Sequence, residues 1–180
     1  MRIIQSSQDD IVIQEELHQH EALRKLNESS VNTVRVLSLL KRDGVKIYSL
    51  ILRMGINGSK VDNACSGGIT CGITDDGHLK DVAYSQRGDI YRKNHPTSNI
   101  PFSTVNIPNI DEIVRETRGL HSQIPMFRLV SWDWAVDAFE TPVLIEANLC
   151  NGELDFHQLN NGPVFGNDTE SILKEVFGER

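Results

Sequence analysis

Apolar and polar positions along this chain alternate in three paired blocks and fall into helical stripes elsewhere. Residues 31–40 and 45–52 are rich in β-branched and aliphatic side chains, and Arg42-Asp43-Gly44 lies between them. Two such runs around an Asp-Gly turn predict a hairpin. A second hairpin is predicted from residues 68–74 and 78–83 around Asp75-Asp76-Gly77. A third joins residues 126–139 to residues 143–148 through Glu140-Thr141-Pro142. Ile11-Val12-Ile13 reads as a further short strand that runs into acidic residues.

Helical periodicity comes between and after the hairpins. Residues 20–26 suit about two turns of helix. Asn109 has the chemistry of an N-cap, with Asp111 and Glu112 in the first turn, and Ile110, Ile113 and Val114 give an apolar stripe out to Gly119. A closing helix is predicted over residues 168–177, capped by Asp168 and stopped by Gly178. Residues 55–66, 84–108 and 151–167 read as loops, the middle one long, polar and irregular. Strands in hairpins with helices between them make the class α+β, a mainly antiparallel sheet with flanking helices.

Length and charge narrow the function classes. A chain of 180 residues fits one domain, or one domain with a small lobe. The 18 Lys and Arg against 25 Asp and Glu leave a net charge of −7, which argues against a nucleic-acid partner. No apolar run approaches the roughly 20 residues that span a bilayer, and the first residues carry no apolar leader, so no membrane partner is expected. Cys65, Cys71 and Cys150 fit neither a disulfide framework nor a zinc site, and free thiols point to the cytoplasm.

The third hairpin holds the most informative chemistry. Side chains alternate along a strand, so Glu146 and Asn148 share one face while Val143, Ile145 and Ala147 face a core. Asp133 falls across from Asn148 if Phe139 closes opposite Pro142, and across from Glu146 if the register moves by two. Either way three oxygen-bearing groups converge, since opposed Cβ atoms lie about 4.5–5.5 Å apart. Two ionised carboxylates at that range repel unless a cation sits between them. Oxygen-only donors suit Mg2+ or Mn2+ rather than zinc. A solvated acidic strand face is the plain alternative.

Two arginines stand on the first hairpin. A turn at Asp43-Gly44 places Arg35 opposite Leu52 or Arg53, and two cations this close call for an anion between them. Arginines on opposite faces, or in surface ion pairs, are the alternative. The glycines at positions 55, 58, 67, 68 and 72 match neither a P-loop nor a dinucleotide fingerprint. The functional content of that region is Asp62, Asn63 and the backbone amides, although such turns also merely connect strands. His18 and His20 read as surface residues, and no Ser-His-Asp order is present.

Taken in order, several segments resemble the ATP-grasp superfamily, and most closely its sugar-transfer-associated branch. They are residues 29–36, Leu52-Arg53-Met54-Gly55, Val61-Asp62-Asn63 with Gly67-Gly68, His95-Pro96-Thr97, Trp132-Asp133 and residues 143–148. The resemblance implies a ligase that makes an acylphosphate from a carboxylate and ATP, then joins it to an amine or similar nucleophile. It implies Asp133, Glu146 and Asn148 as Mg2+ ligands, with Mn2+ as a substitute, and Arg35 and Arg53 on the transferring phosphoryl group. Asn32, Asp62, Asn63, Gly67 and Gly68 would position the acceptor, a carboxylate, an amine or a sugar-derived compound. Residues 13–17 resemble the hinge strand, with Glu15, Glu16 and Leu17 at the adenine. Residues 1–180 then correspond to hinge plus C-terminal lobe, with the N-terminal lobe supplied elsewhere or the chain acting as a homo-oligomer. A catalytically incomplete module that binds nucleotide or a partner lobe is the alternative.

Overall fold

A computed structural model describes residues 14–60, 62, 67–150 and 152–178. In chain order the elements are α1 (Glu21–Arg24), β1 (Thr33–Lys41), β2 (Gly44–Met54), β3 (Ile69–Ile73), β4 (Leu79–Ser85) and β5 (Ile90–Arg92). There follow α2 (Ile110–Ser122), β6 (Leu129–Val136), β7 (Pro142–Asn148), α3 (Leu154–Asn161) and α4 (Thr169–Phe177). The strands form one sheet in the order β5-β4-β3-β2-β1-β6-β7, antiparallel throughout. The α+β class read from the hairpins therefore holds.

Period-two alternation gives this sheet two chemically different faces. One carries Val34, Val36, Leu52, Met54, Ile69, Cys71, Val130, Trp132 and Trp134, all buried in a single apolar cluster. Leu23 and Leu26 of the α1 region, Phe102, and Ile110 and Ile113 of α2 complete that cluster. Each such side chain contributes roughly 1.5–3 kcal/mol on burial. The other face carries Arg35, Arg53 and Asp133, and α3 lies over its β2–β4 portion.

A polar chain crosses the apolar face. Trp132 Nε1 donates to Ser38 Oγ at 2.7 Å, Ser38 Oγ lies 2.7 Å from His121 Nδ1, and His121 Nε2 lies 2.9 Å from the Phe127 carbonyl. A carbonyl only accepts, so Nε2 carries the proton and Nδ1 accepts from the Ser38 hydroxyl. The chain ties the last turn of α2 to β1 and β6. Burial depresses the His121 pKa and keeps the ring neutral.

Asn32 and Gln19 pin the N-terminal segment. The Asn32 amide donates to Gln19 Oε1 at 3.0 Å, the Leu23 carbonyl at 2.9 Å and the Asn27 carbonyl at 3.0 Å. Gln19 Nε2 answers with the Asn27 and Ser30 carbonyls at 3.1 and 2.7 Å. Asn32 is fully buried on the apolar side. It is the knot that closes residues 19–32.

Several expectations change for identifiable reasons. The β1–β2 turn is Arg42-Asp43, with Lys41 paired to Gly44, and a bulge between Leu37 and Ser38 shifts the register. Arg35 therefore faces Ile51, not Leu52 or Arg53. Residues 84–108 are not wholly irregular, since β4 runs to Ser85, β5 pairs with it, and Phe102 is fully buried. Residues 151–167 contain α3. Asn109 adopts φ 51° and caps nothing with its side chain, which instead donates to the Glu140 carbonyl at 2.6 Å. Asp168 likewise makes no cap; its carboxylate accepts from Lys41, Lys46 and Tyr48 at 3.2, 2.7 and 2.7 Å. Val143, Ile145 and Ala147 do not enter a core, because β7 is an edge strand with half-exposed side chains. Residues 14–17 form no strand; the segment touches the sheet through the Gln19–Asp137 bridge and the His20 N–H bond to the Val136 carbonyl at 2.8 Å. Ile11-Val12-Ile13 lies outside the described residues.

Asn32→Ala removes the two N–H donors shared among these three oxygens, at about 1 kcal/mol each, so urea unfolding should show a loss of roughly 2 kcal/mol. A loss below about 1 kcal/mol would contradict the structural role given to this residue.

Candidate functional site

The polar face is organised by β-sheet register. Arg35 pairs with Asp133 across β1–β6, Asp133 with Glu146 across β6–β7, and Arg53 with Thr33, two positions from Arg35. Period-two alternation therefore puts Arg35, Arg53, Asp133 and Glu146 on one face. A bulge between Asp133 and Trp134 sets the β6–β7 register and selects Glu146, not Asn148, as the residue opposite Asp133. Asn148 lies one pair further, opposite Ser131.

Asp133 sits at the centre. Arg35 grips it with a fork, Nε to Oδ1 and Nη2 to Oδ2, both at 2.7 Å. Arg53 Nη1 donates to Oδ2 at 2.8 Å. All three residues are at least nine-tenths buried. Arg53 Nη2 also approaches Asp62 Oδ1 at 3.6 Å, and Thr33 Oγ1 donates to Asp62 Oδ2. Arg35 Nη1 donates to Glu153 Oε2. The anion expected between the two arginines is thus supplied by the chain itself. Burial alone raises the Asp133 pKa, but hydrogen bonding and charge from Arg35, and charge from Arg53, outweigh it and hold the carboxyl below its ordinary range.

The oxygen donors gather beside this cluster. Asn148 Nδ2 lies 3.2 Å from Glu146 Oε1 and 3.4 Å from Asp133 Oδ2. Glu146 is exposed and Asn148 half-buried, so the set opens to solvent on one side. Its chemistry fits a hard divalent cation. The donors are all oxygens once the Asn148 amide turns Oδ1 inward, and Asp133 Oδ1, which receives one N–H, keeps a lone pair. Among the described residues no three His, Cys, Asp or Glu side chains cluster as a metal site. A cation here would draw on two carboxylates and an amide.

A second, directed chain runs under α3. Lys80 Nζ donates to Asn161 Oδ1 at 2.6 Å, which fixes the amide so that Nδ2 donates to Ser49 Oγ at 2.7 Å. Ser49 Oγ in turn lies 2.7 Å from His157 Nδ1, and the other ring nitrogen, Nε2, is buried with no hydrogen-bond partner. Burial first, and the nearby Arg35 charge second, push the His157 pKa down to about 3.

The structure brings together Arg35, Arg53, Asp62, Asp133, Glu146 and Asn148. Gly67 and Gly68 lead into β3, Gly67 with φ 93° in the left-handed region that glycine tolerates. Asn63 lies outside the described residues. Glu15, Glu16 and Leu17 border a cleft of about 330 Å³ with Asp137, Ala138, Phe139 and Val143, on the β6–β7 turn. His95 is structural: its ring reaches the Gly55 carbonyl at 3.2 Å and accepts from the Ser98 N–H at 3.2 Å. His20 sits 3.6 Å from Glu140, a surface pair. Sequence reasoning did not single out Glu153 or His157. Both lie in the segment read as loop, and the only signal was the run Asp155-Phe156-His157-Gln158-Leu159, free of glycine and proline.

Over residues 4–174 the chain matches the family model described as sugar-transfer associated ATP-grasp. The chain belongs to this family. As a sugar-transfer associated ATP-grasp protein it is an ATP-dependent, ligase-type domain. Neither a curated protein nor a solved structure matches it. No helix among the described residues is long and apolar enough to cross a membrane.

Two outcomes test the electrostatics of this ATP-grasp site. Asp133→Asn leaves two buried guanidiniums short of their counter-charge, so urea unfolding should show a loss of about 3–5 kcal/mol; a loss under about 1 kcal/mol would contradict the pairing. The second concerns acid. The unfolded chain protonates His157 near pH 6.5, whereas the folded ring resists until about 3. Between those values the unfolded state binds more protons, so stability falls as pH falls. His95 and His121, also depressed by burial, act in the same direction. Asp133 adds its own loss only below the ordinary carboxylate range. The urea midpoint should therefore drop steadily from pH 7 to pH 4.5, with a shallower slope in His157→Asn. A flat profile, or an unchanged slope in that variant, would contradict the neutral buried ring.

Proposed function

We propose that this chain activates a carboxylate with ATP and joins it to an amine or similar nucleophile. A carboxylate oxygen attacks the γ-phosphorus, the bond to the bridging oxygen breaks, and ADP leaves. The nucleophile then attacks the acyl carbon, inorganic phosphate departs, and the amine gives up a proton. One observation carries this reading: the buried Arg35–Asp133–Arg53 cluster stands directly beside the open Glu146–Asn148 oxygen set on a single sheet face.

The residues have distinct tasks in it. Arg35 and Arg53 are held by Asp133 in fixed orientation, so their positive charge is preorganised for oxyanions without reorganisation cost. Asp133, Glu146 and Asn148 would hold Mg2+ or Mn2+. Bound there with ATP, the ion supplies neutralisation of charge on the phosphates. Asp62, tied to Thr33 and facing Arg53, is on the side assigned to the acceptor. The cleft at Glu15, Glu16 and Leu17 takes the nucleotide base. The partners are small molecules: a carboxylate together with an amine or sugar-derived acceptor.

The test is a calorimetric titration with Mg-ATP, followed by ADP release with a panel of carboxylates. Glu146→Ala, an exposed position whose loss leaves the core intact, should weaken Mg-ATP binding at least about tenfold and abolish carboxylate-dependent ADP release. Equal affinity and turnover in the variant would contradict the reading.

A further inference from the structure

Every nitrogen of Arg35 already holds a carboxylate oxygen. Nε and Nη2 hold Asp133, and Nη1 holds Glu153. The two partners differ in kind. Asp133 is almost completely buried and shares its charge with Arg53, so it is a permanent part of the framework. The Glu153 side chain is 45% exposed and comes from the rim. Glu153 also adopts φ 49°, the left-handed region that a side chain with a Cβ enters reluctantly. It does so at the N-cap of α3, without capping the helix. Its side chain instead meets the Arg35 guanidinium.

Charge explains what favours an anion at that position. Asp133 lies between the two guanidiniums, Asp62 stands beside Arg53, and Glu153 takes the corresponding place on the Nη1 side of Arg35. With Glu153 turned away, that side of a buried guanidinium loses its carboxylate, which favours another anion there. Four residues further along, His157 has a buried Nε2 without a hydrogen-bond partner on the same sheet face.

We propose that the Nη1 side of Arg35 is an oxyanion subsite closed by Glu153, whose carboxylate stands in for a ligand carboxylate or phosphate and must swing out when one binds. This rests on the reading that Arg35 meets substrate oxyanions, and it adds a residue that sets the affinity and selectivity of that subsite. Ligands with two oxygens matching the guanidinium fork displace Glu153. Neutral ligands and those with one weak acceptor do not.

The experiment titrates the full chain separately with inorganic phosphate and with acetate, following the Arg35 Nε–H resonance by NMR. Three proteins are compared: wild type, Glu153→Gln and Asp155→Asn. The last removes the same charge from an exposed position two residues along. Glu153→Gln should bind one or both anions about fivefold to twentyfold more tightly than wild type, while Asp155→Asn stays within about twofold. Tightening for phosphate alone assigns the subsite to the transferring phosphoryl group, and tightening for acetate assigns it to the substrate carboxylate. Equal affinity in wild type and Glu153→Gln, no binding in either, or equal tightening in Asp155→Asn would overturn the proposal. If Glu153→Gln has no effect while Mg-ATP still binds, only the gate fails. If Mg-ATP binding and turnover are absent while Glu153→Gln still tightens anion binding, the ligase reading fails and the subsite stands.

Discussion

A buried carboxylate between two buried guanidiniums is the constraint on which the rest of this molecule depends. Asp133 must sit on the central part of the sheet, because only there can β1 and β2 each deliver an arginine to it. That requires β6 beside β1 and the β6–β7 register that opposes Glu146 to Asp133. The apolar face enforces it. Trp132 and Trp134 flank Asp133 in sequence, and both must point into the core for the aspartate to point away. Burial of two indoles thus fixes the direction of one carboxylate, and the carboxylate fixes two arginines.

The same layout separates stability from function. On the core side, the polar groups of Ser38, His121, Asn32 and Gln19 are joined to one another and to backbone carbonyls. On the other side, charge is concentrated, with two guanidiniums among the carboxylates of Asp133, Asp62, Glu146 and Glu153. An ATP-grasp ligase works by placing and neutralising phosphate charge, and a sheet face with positive charge held rigid by its own core suits that task.

The hairpins, and the shared face of Glu146 and Asn148, were legible because alternation is a strict property of strands. The place of Asp133 on that face was not: unbroken pairing from Val136–Pro142 would set it opposite Ile145, and the bulge at Asp133–Trp134, which leaves little trace in composition, sets it opposite Glu146. The Arg35–Arg53 relation shows the same limit: unbroken pairing from Lys41–Gly44 would set Arg35 opposite Leu50 and turn Arg53 to the other face, and the bulge at Leu37–Ser38 sets Arg35 opposite Ile51, on the face of Arg53. Asn32 shows a different limit. It stands in a stretch that resembles a family motif, and nothing local tells a buried amide that bonds carbonyls from one that meets a ligand. Glu153 and α3 escaped notice because glycine and asparagine on either side suggested loop, while the helix is stabilised by long-range bonds to Ser49, Thr70 and Lys80.

The central claim is that the phosphate-binding cation sits at the Asp133–Glu146–Asn148 corner and nowhere else on this acidic surface. Paramagnetic broadening by Mn2+ in the presence of ATP reads that position directly. The account predicts that the side-chain amide of Asn148 and the Nε–H groups of Arg35 and Arg53 broaden first, with the amides around Asp75, Asp76 and Asp168 unaffected. Broadening that begins at those other carboxylates and spares Asn148 would contradict it.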